Sequence, residues 1–155
     1  MSDYGQNFGF RRSDEHLRSG NEGRFRVPKT GVFKQGDLVT INTAAPGYVK
    51  KADANANLEP GFTGILIQEE VHLLPYPANK AKDTVVNGNL CSIWTGAGLK
   101  VWLRNTAART IVAPDLAVGD HVEWDGSMYV KSTALGVIGR VTAAAAGYAE
   151  VSLAA

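Results

Sequence analysis

The residues able to do covalent or metal chemistry are few and scattered. Three histidines, His16, His72 and His121, and one cysteine, Cys91, are spread over the 155-residue chain. No two histidines stand at the i and i+4 spacing that puts two ligands on one helix face. Asp120-His121 has the composition of an acid–base pair, but neighbours on a strand point to opposite faces and cannot hydrogen-bond to each other. Cys91 lies in Leu90-Cys91-Ser92-Ile93-Trp94, a strand pattern in which cysteine serves as a small buried hydrophobe. Gly96-Ala97-Gly98 lacks the third glycine, the helix and the Lys-Ser/Thr of a phosphate-binding loop, and reads as a hairpin turn. Glu69-Glu70 has no partner acid at a definable distance. A catalytic constellation needs nucleophile, base and orienting group in one cleft, and none assembles here, so the expectation is a protein that is not an enzyme and uses no metal and no cofactor.

Binding residues are better represented. If Leu99, Val101 and Leu103 point inward, then Lys100, Trp102 and Arg104 share the opposite face, leaving a large aromatic between two cations. Trp and Arg are the types enriched at interface hot spots. The alternative is that Trp102 lies on a second buried face or is half covered by a loop. Near the N-terminus, Phe8, Phe10, Arg11 and Arg12, then Arg24, Phe25 and Arg26, alternate aromatic and guanidinium groups. Such clusters suit an acidic protein groove or single-stranded nucleic acid. Asp3, Asp14, Glu15 and Glu22 in the same stretch oppose the nucleic-acid reading.

The elements that must carry these residues follow from the hydrophobic pattern. Residues 1–29 hold few apolar anchors among glycines and arginines, too few to fold alone, so they form an extended N-terminal arm that a partner would order. Residues 30–155 form the domain. Its texture is short alternating runs bounded by Gly, Pro, Asn and Asp, the period-2 signature of half-buried strands. Leu99 to Arg104 and Tyr148 to Leu153 each offer one core face and one exposed face. Asp125-Gly126 sits between two such runs and predicts a hairpin from Asp120 to Lys131, with positive φ at both central residues. Single helical turns are expected near Ser13 to Arg18 and Pro114 to Val118. The stretch Glu69 to Asn89, with Pro75-Tyr76-Pro77, is too polar and interrupted for a central strand and reads as a projecting loop.

Comparison of the chain with itself shows a weak duplication. Gly36-Asp37-Leu38-Val39-Thr40-Ile41 matches Gly119-Asp120-His121-Val122-Glu123-Trp124. Tyr48-Val49-Lys50 then matches Tyr129-Val130-Lys131, and Gly61 to Leu66 matches Gly136 to Val141, in the same order. Each copy is a Gly-Asp turn, a hairpin and a glycine-punctuated strand. The fold class is therefore all-β, a small β-barrel or two-sheet β-sandwich built on this internal repeat with the N-terminal arm attached. Seventeen glycines suit its many tight turns.

Bulk properties exclude other classes. Sixteen basic and fifteen acidic residues give a net charge of +1, so no global field draws the molecule to nucleic acid or an anionic membrane. One cysteine excludes an intrachain disulfide. The first residues lack a secretory pattern and no apolar run approaches the ~20 residues that span a bilayer, so a soluble product of the cytoplasm is expected.

The Gly-Asp turn at Gly119-Asp120, the Asp-Gly hairpin after it, the Gly136 to Gly139 strand and the alternating Ala149 to Leu153 strand resemble the capsid decoration, or cement, proteins of tailed bacteriophages, over roughly Val32 to Ala155. The resemblance implies a β-barrel or sandwich, often a homotrimer. It would sit on the outer capsid surface of the virion and clamp neighbouring major capsid protein subunits, with no nucleic acid and no membrane as partner. The arm and the 69–89 loop depart from the compact pattern of that family. Phe8, Phe10, Arg11, Arg12, Arg24, Phe25, Arg26 and Trp102 are then the candidate contacts to capsid or sister subunits. Alternatives are a head fibre base, a tail tube subunit, an OB-type single-strand nucleic-acid binder and, last, a hydrolase using Cys91 or a serine.

Overall fold

A computed structural model describes residues 10–12, 19–68, 85–105, 110–133 and 138–155. Within them the regular structure is strand: β1 (Phe10–Arg12), β2 (Ser19–Arg26), β3 (Leu38–Ile41), β4 (Val49–Lys51), β5 (Thr63–Ile67), β6 (Leu90–Thr95), β7 (Lys100–Arg104), β8 (His121–Trp124), β9 (Tyr129–Ser132), β10 (Gly139–Ala145) and β11 (Tyr148–Leu153). They form a six-stranded sheet, β1-β7-β11-β10-β8-β9, and a five-stranded sheet, β2-β6-β5-β3-β4. All strand pairs are antiparallel. The all-β expectation holds, and among the described residues no helix is long and apolar enough to cross a membrane. The segment from Pro114 to Val118 is a pair of turns rather than a helical turn. Residues 13–18 and 69–84 lie outside the described residues.

Without β1, the two sheets have one topology. Each strand of the five-stranded sheet has its counterpart five places later in the chain, β2 with β7 through β6 with β11. The duplication seen in sequence therefore generates a whole sheet per copy. Its signature residues do the same work twice. Gly36 and Gly119 take left-handed φ values of 89° and 94°, which only glycine adopts at low cost. One residue later, Asp37 Oδ2 accepts the Lys34 N–H at 2.9 Å, and Asp120 Oδ2 accepts the Ala117 N–H at 2.9 Å. Gly36 N–H donates to the Leu66 carbonyl and Leu66 N–H to the Asp37 carbonyl; Gly119, Val141 and Asp120 repeat that pattern.

Corresponding rows of side chains face opposite environments, which fixes how the copies stack. Leu38, Ile65 and Trp94 are cross-strand partners in the first copy and lie in the larger core, each 3% exposed or less. Their counterparts His121, Arg140 and Ser152 are partners in the second copy and look outward. Conversely Val122, Val141, Val151 and Ala149 enter the larger core, whereas Val39, Leu66, Ile93 and Cys91 enter a smaller cluster on the far side of the five-stranded sheet. The copies are thus stacked head to tail, a heterologous contact that would propagate unless capped. Val27, Phe33 and Val85 cover one end; the polar row His121, Arg140, Ser152 ends the other. Tyr129 Oη donates to the Gly36 carbonyl at 2.7 Å and Trp124 Nε1 to the Ala52 carbonyl at 3.1 Å, both tying the second copy to the first.

Two local expectations need correction. Asp125 does not take positive φ; among the described residues Asn55 is the one non-glycine that does. The loop closes instead through the Asp125 carboxylate, whose Oδ1 accepts the N–H groups of Ser127 and Met128 at 2.8 Å each, an Asx turn in place of a two-residue hairpin. The Tyr-Val-Lys match is also displaced by one residue: Ile41 pairs with Val49 and Trp124 with Tyr129, so Tyr129 corresponds to Val49, because the first hairpin loop is longer.

Candidate functional site

The polar face of the six-stranded sheet is where the chain's own alternation places its binding residues. Leu99, Val101 and Leu103 are fully buried, as expected, and this turns Lys100, Trp102 and Arg104 outward. On β11 the buried Ala149, Val151 and Leu153 turn Tyr148, Glu150 and Ser152 to the same side. Antiparallel register sets Arg104 opposite Tyr148, Trp102 opposite Glu150 and Lys100 opposite Ser152.

These neighbours form a built surface. The Trp102 indole stacks on the Tyr148 ring with centroids 5.6 Å apart and planes 17° from parallel. Trp102 Nε1 donates to Glu150 Oε2, and Thr142 Oγ1 donates to Glu150 Oε1 at 2.9 Å. Thr142 reaches Glu150 because β10 carries an irregularity between Val141 and Ala143, and a bulge re-aims the side chain it displaces. Both oxygens of Glu150 are thereby engaged, so its role is to fix the indole rather than to act as a free acid. Exposed Arg104 and Lys100 flank the stack, and Arg140 lies one row across with its Nε donating to the Gly119 carbonyl at 3.0 Å. Trp102 is partly buried among its partners. Such an arrangement offers a flat, pre-positioned aromatic with cations at its rim, and little side-chain entropy remains to be lost on contact.

The sequence-selected residues divide between the two sheets. Phe8 lies outside the described residues. Phe10, Arg11 and Arg12 form β1, paired along β7 with Arg11 opposite Trp102, so this part of the leader borders the aromatic stack. Arg24, Phe25 and Arg26 belong to β2 on the other sheet, where the pairing with β6 slips between Asn21 and Phe25. Phe25 packs half-buried against the smaller cluster. Arg26 is exposed and its Nη1 donates to the Gly88 carbonyl at 3.0 Å. Tyr148, Glu150 and Thr142 were not singled out from sequence. The first two were visible as the polar half of an alternating strand, but register alone brings them to Trp102.

The remaining candidates fall elsewhere. Asp120 serves its turn and sits 3.5 Å from Lys131 Nζ, while His121 is on the outward row with Nδ1 buried and without a hydrogen bond. Cys91 is buried in the smaller cluster at 1% exposure. Among the described residues no three His, Cys, Asp or Glu side chains gather as a metal site would need. Gln68 is a fully buried residue whose amide donates to the Val86 and Leu90 carbonyls and accepts the Val86 N–H. One side chain thus joins the described segments that end at Gln68 and begin at Val85. Set against known proteins, the chain matches no protein-family model and no curated protein.

Proposed function

We propose that the chain is a structural virion protein that binds the outer surface of a tailed-phage capsid and stabilises contacts between major capsid protein subunits. The observation that carries this reading is the Trp102–Tyr148 stack, fixed by Glu150 and Thr142 on a rigid sheet and bordered by β1. A flat aromatic anchor held in place before contact, with arginine and lysine around it, has the composition and rigidity of a protein-docking hot spot. The Gly-Asp turn and glycine-spaced strands, which resemble those of decoration proteins, support the same reading. The leader adds a second contact and a homotrimer adds a third level: several weak attachments linked in one particle raise the effective concentration of each.

The test is co-sedimentation of the purified chain with expanded, undecorated capsids of its phage, comparing the full chain with one lacking residues 1–12, which removes β1 and leaves β2 and the buried Val27 in place. Saturable capsid binding that weakens without the leader is expected. Absence of binding by the full chain contradicts the proposal, and strongly salt-dependent binding to single-stranded oligonucleotides in its place would favour the OB-type alternative.

A further inference from the structure

The two copies also differ where β4 leads to β5. That connection runs from residue 52 to 62, whereas its counterpart from β9 to β10 runs from 133 to 138. The second copy closes the same topology with the shorter link, so the extra residues are not required by the fold. Nor are they loose. Trp124 grips the segment at both ends of its first turn, its Nε1 donating to the Ala52 carbonyl at 3.1 Å and its own carbonyl accepting the Asn55 N–H at 2.8 Å. Asn55 holds φ at 65°, a left-handed conformation that asparagine tolerates better than most residues. Leu58 is buried in the main core, and the Phe62 N–H donates to the Glu59 carbonyl at 2.9 Å.

This fixed segment forms one wall of a groove of about 320 Å3, whose lining includes Thr40, Ile41, Thr43, Lys50, Asp53 and Phe62. The volume lies at the small end of ligand pockets. Phe62 stands at the groove with 36% of its surface exposed. The Lys50 ammonium and the Asp53 carboxylate have no hydrogen-bond or ion-pair partner among the described residues. On the floor, Thr63 Oγ1 donates to Thr40 Oγ1 at 2.8 Å and Thr40 Oγ1 donates to the Phe62 carbonyl at 3.3 Å, which fixes the direction of both hydroxyls.

We propose that this groove is a saccharide-binding site. One cation and one anion give it no net preference for an ionic ligand. What it presents is a donor in Lys50, an acceptor in Asp53, the Thr43 hydroxyl that can be either, and an aromatic ring. Sugar hydroxyls both donate and accept, so adjacent hydroxyls on one ring satisfy Lys50 and Asp53 together. The C–H face of a pyranose supplies the flat apolar surface that covers Phe62. The site is independent of capsid attachment.

The test is titration of the isotope-labelled full chain with glucose, galactose, N-acetylglucosamine, maltose, lactose and cellobiose, followed by amide chemical shifts, with a capped tetraglycine peptide as comparison. Saturable shifts centred on Lys50, Asp53 and Phe62 with at least one sugar are expected. Phe62→Ala and Asp53→Asn should each weaken that binding by about tenfold or more, while thermal melting stays close to that of the parent chain. The proposal is overturned if none of the sugars gives saturable shifts at the groove, if both variants bind as the parent does, or if the peptide binds there and the sugars do not.

Discussion

Gly139 and Gly64 occupy the same place in the two copies, paired with Val122 and Val39 respectively, and replacing them by alanine probes the close strand approach at that place. A Cβ at Gly139 would lie 2.2 Å from the Ser152 carbonyl oxygen and 2.8 Å from Val151 Cγ1. Relief requires β10 and β11 to part by roughly 1 Å in a core packed without slack. The obstacle is backbone, so no rotamer change removes it. Overpacking of this kind costs about 1–3 kcal/mol and occasionally more, and the backbone clash places Gly139→Ala near 3 kcal/mol on that approximate scale. For a chain of this size each kcal/mol lowers the melting temperature by roughly 2–4 °C, which gives a fall of about 6–12 °C. At Gly64 the added Cβ would meet the Trp94 carbonyl oxygen at 2.5 Å and the Ile93 and Thr95 Cγ2 atoms at 2.8 Å, so a loss of about 2–3 kcal/mol is expected. Gly126→Ala is the control: φ there is 104° with no atom within 4 Å of the added Cβ, and it should cost only the conformational penalty of about 1–2 kcal/mol. Thermal and urea melts followed by circular dichroism measure all three. If Gly139→Ala and Gly64→Ala melt no lower than Gly126→Ala, the close approach does not govern those positions and the shared packing role is refuted.

Other expectations follow from single contacts. Trp102→Ala removes a stack worth about 0.5–1.5 kcal/mol beyond its burial at a partly buried position, so folding stability should fall by about 2–3 kcal/mol; capsid affinity should fall by roughly 30-fold or more, the mark of a hot spot. Tyr129→Phe leaves the buried Gly36 carbonyl without its 2.7 Å hydroxyl donor and should cost about 1–3 kcal/mol in a urea melt. Burial pushes the Asp125 carboxyl up, but the N–H groups of Met128 and Ser127 and the Ser127 hydroxyl outweigh it and hold its pKa below the ordinary value. A carboxyl depressed on folding stabilises the fold above its unfolded pKa of about 3.9 and loses that contribution as pH falls through the folded value. Urea midpoints taken across that acid range should fall less steeply with Asp125→Asn than with the parent chain.

How much was legible in the sequence depended on whether a residue's role was local. Leu99, Val101 and Leu103 declared their buried face by alternation, and the Gly-Asp turns declared the duplication because a left-handed glycine and its neighbouring carboxylate are strict local needs. The equivalence of β6 and β11, Leu-Cys-Ser-Ile-Trp-Thr and Tyr-Ala-Glu-Val-Ser-Leu, was not legible. Backbone pairing places those strands, and backbone pairing leaves side chains free to diverge. They diverged as stacking demands: Leu38, Ile65 and Trp94 lie between the sheets, whereas His121, Arg140 and Ser152 meet solvent. The site was half legible for a similar reason. Trp102 could be assigned to a polar face, yet Glu150 is 48 residues away, and no local pattern reveals which strand will lie beside which. The turn at Asp125 was read by its dipeptide alone, and the carboxylate capping of Ser127 and Met128 won over that preference.

The most direct measurement of the docking account is hydroxyl-radical footprinting of the full chain, free and bound to expanded capsids, with oxidation quantified at each aromatic residue. Trp102 and Tyr148 should lose most of their oxidation on binding, while Phe62, in the groove on the other sheet, keeps its own. Equal oxidation of Trp102 and Tyr148 in free and capsid-bound chains would contradict the assignment of that face as the contact.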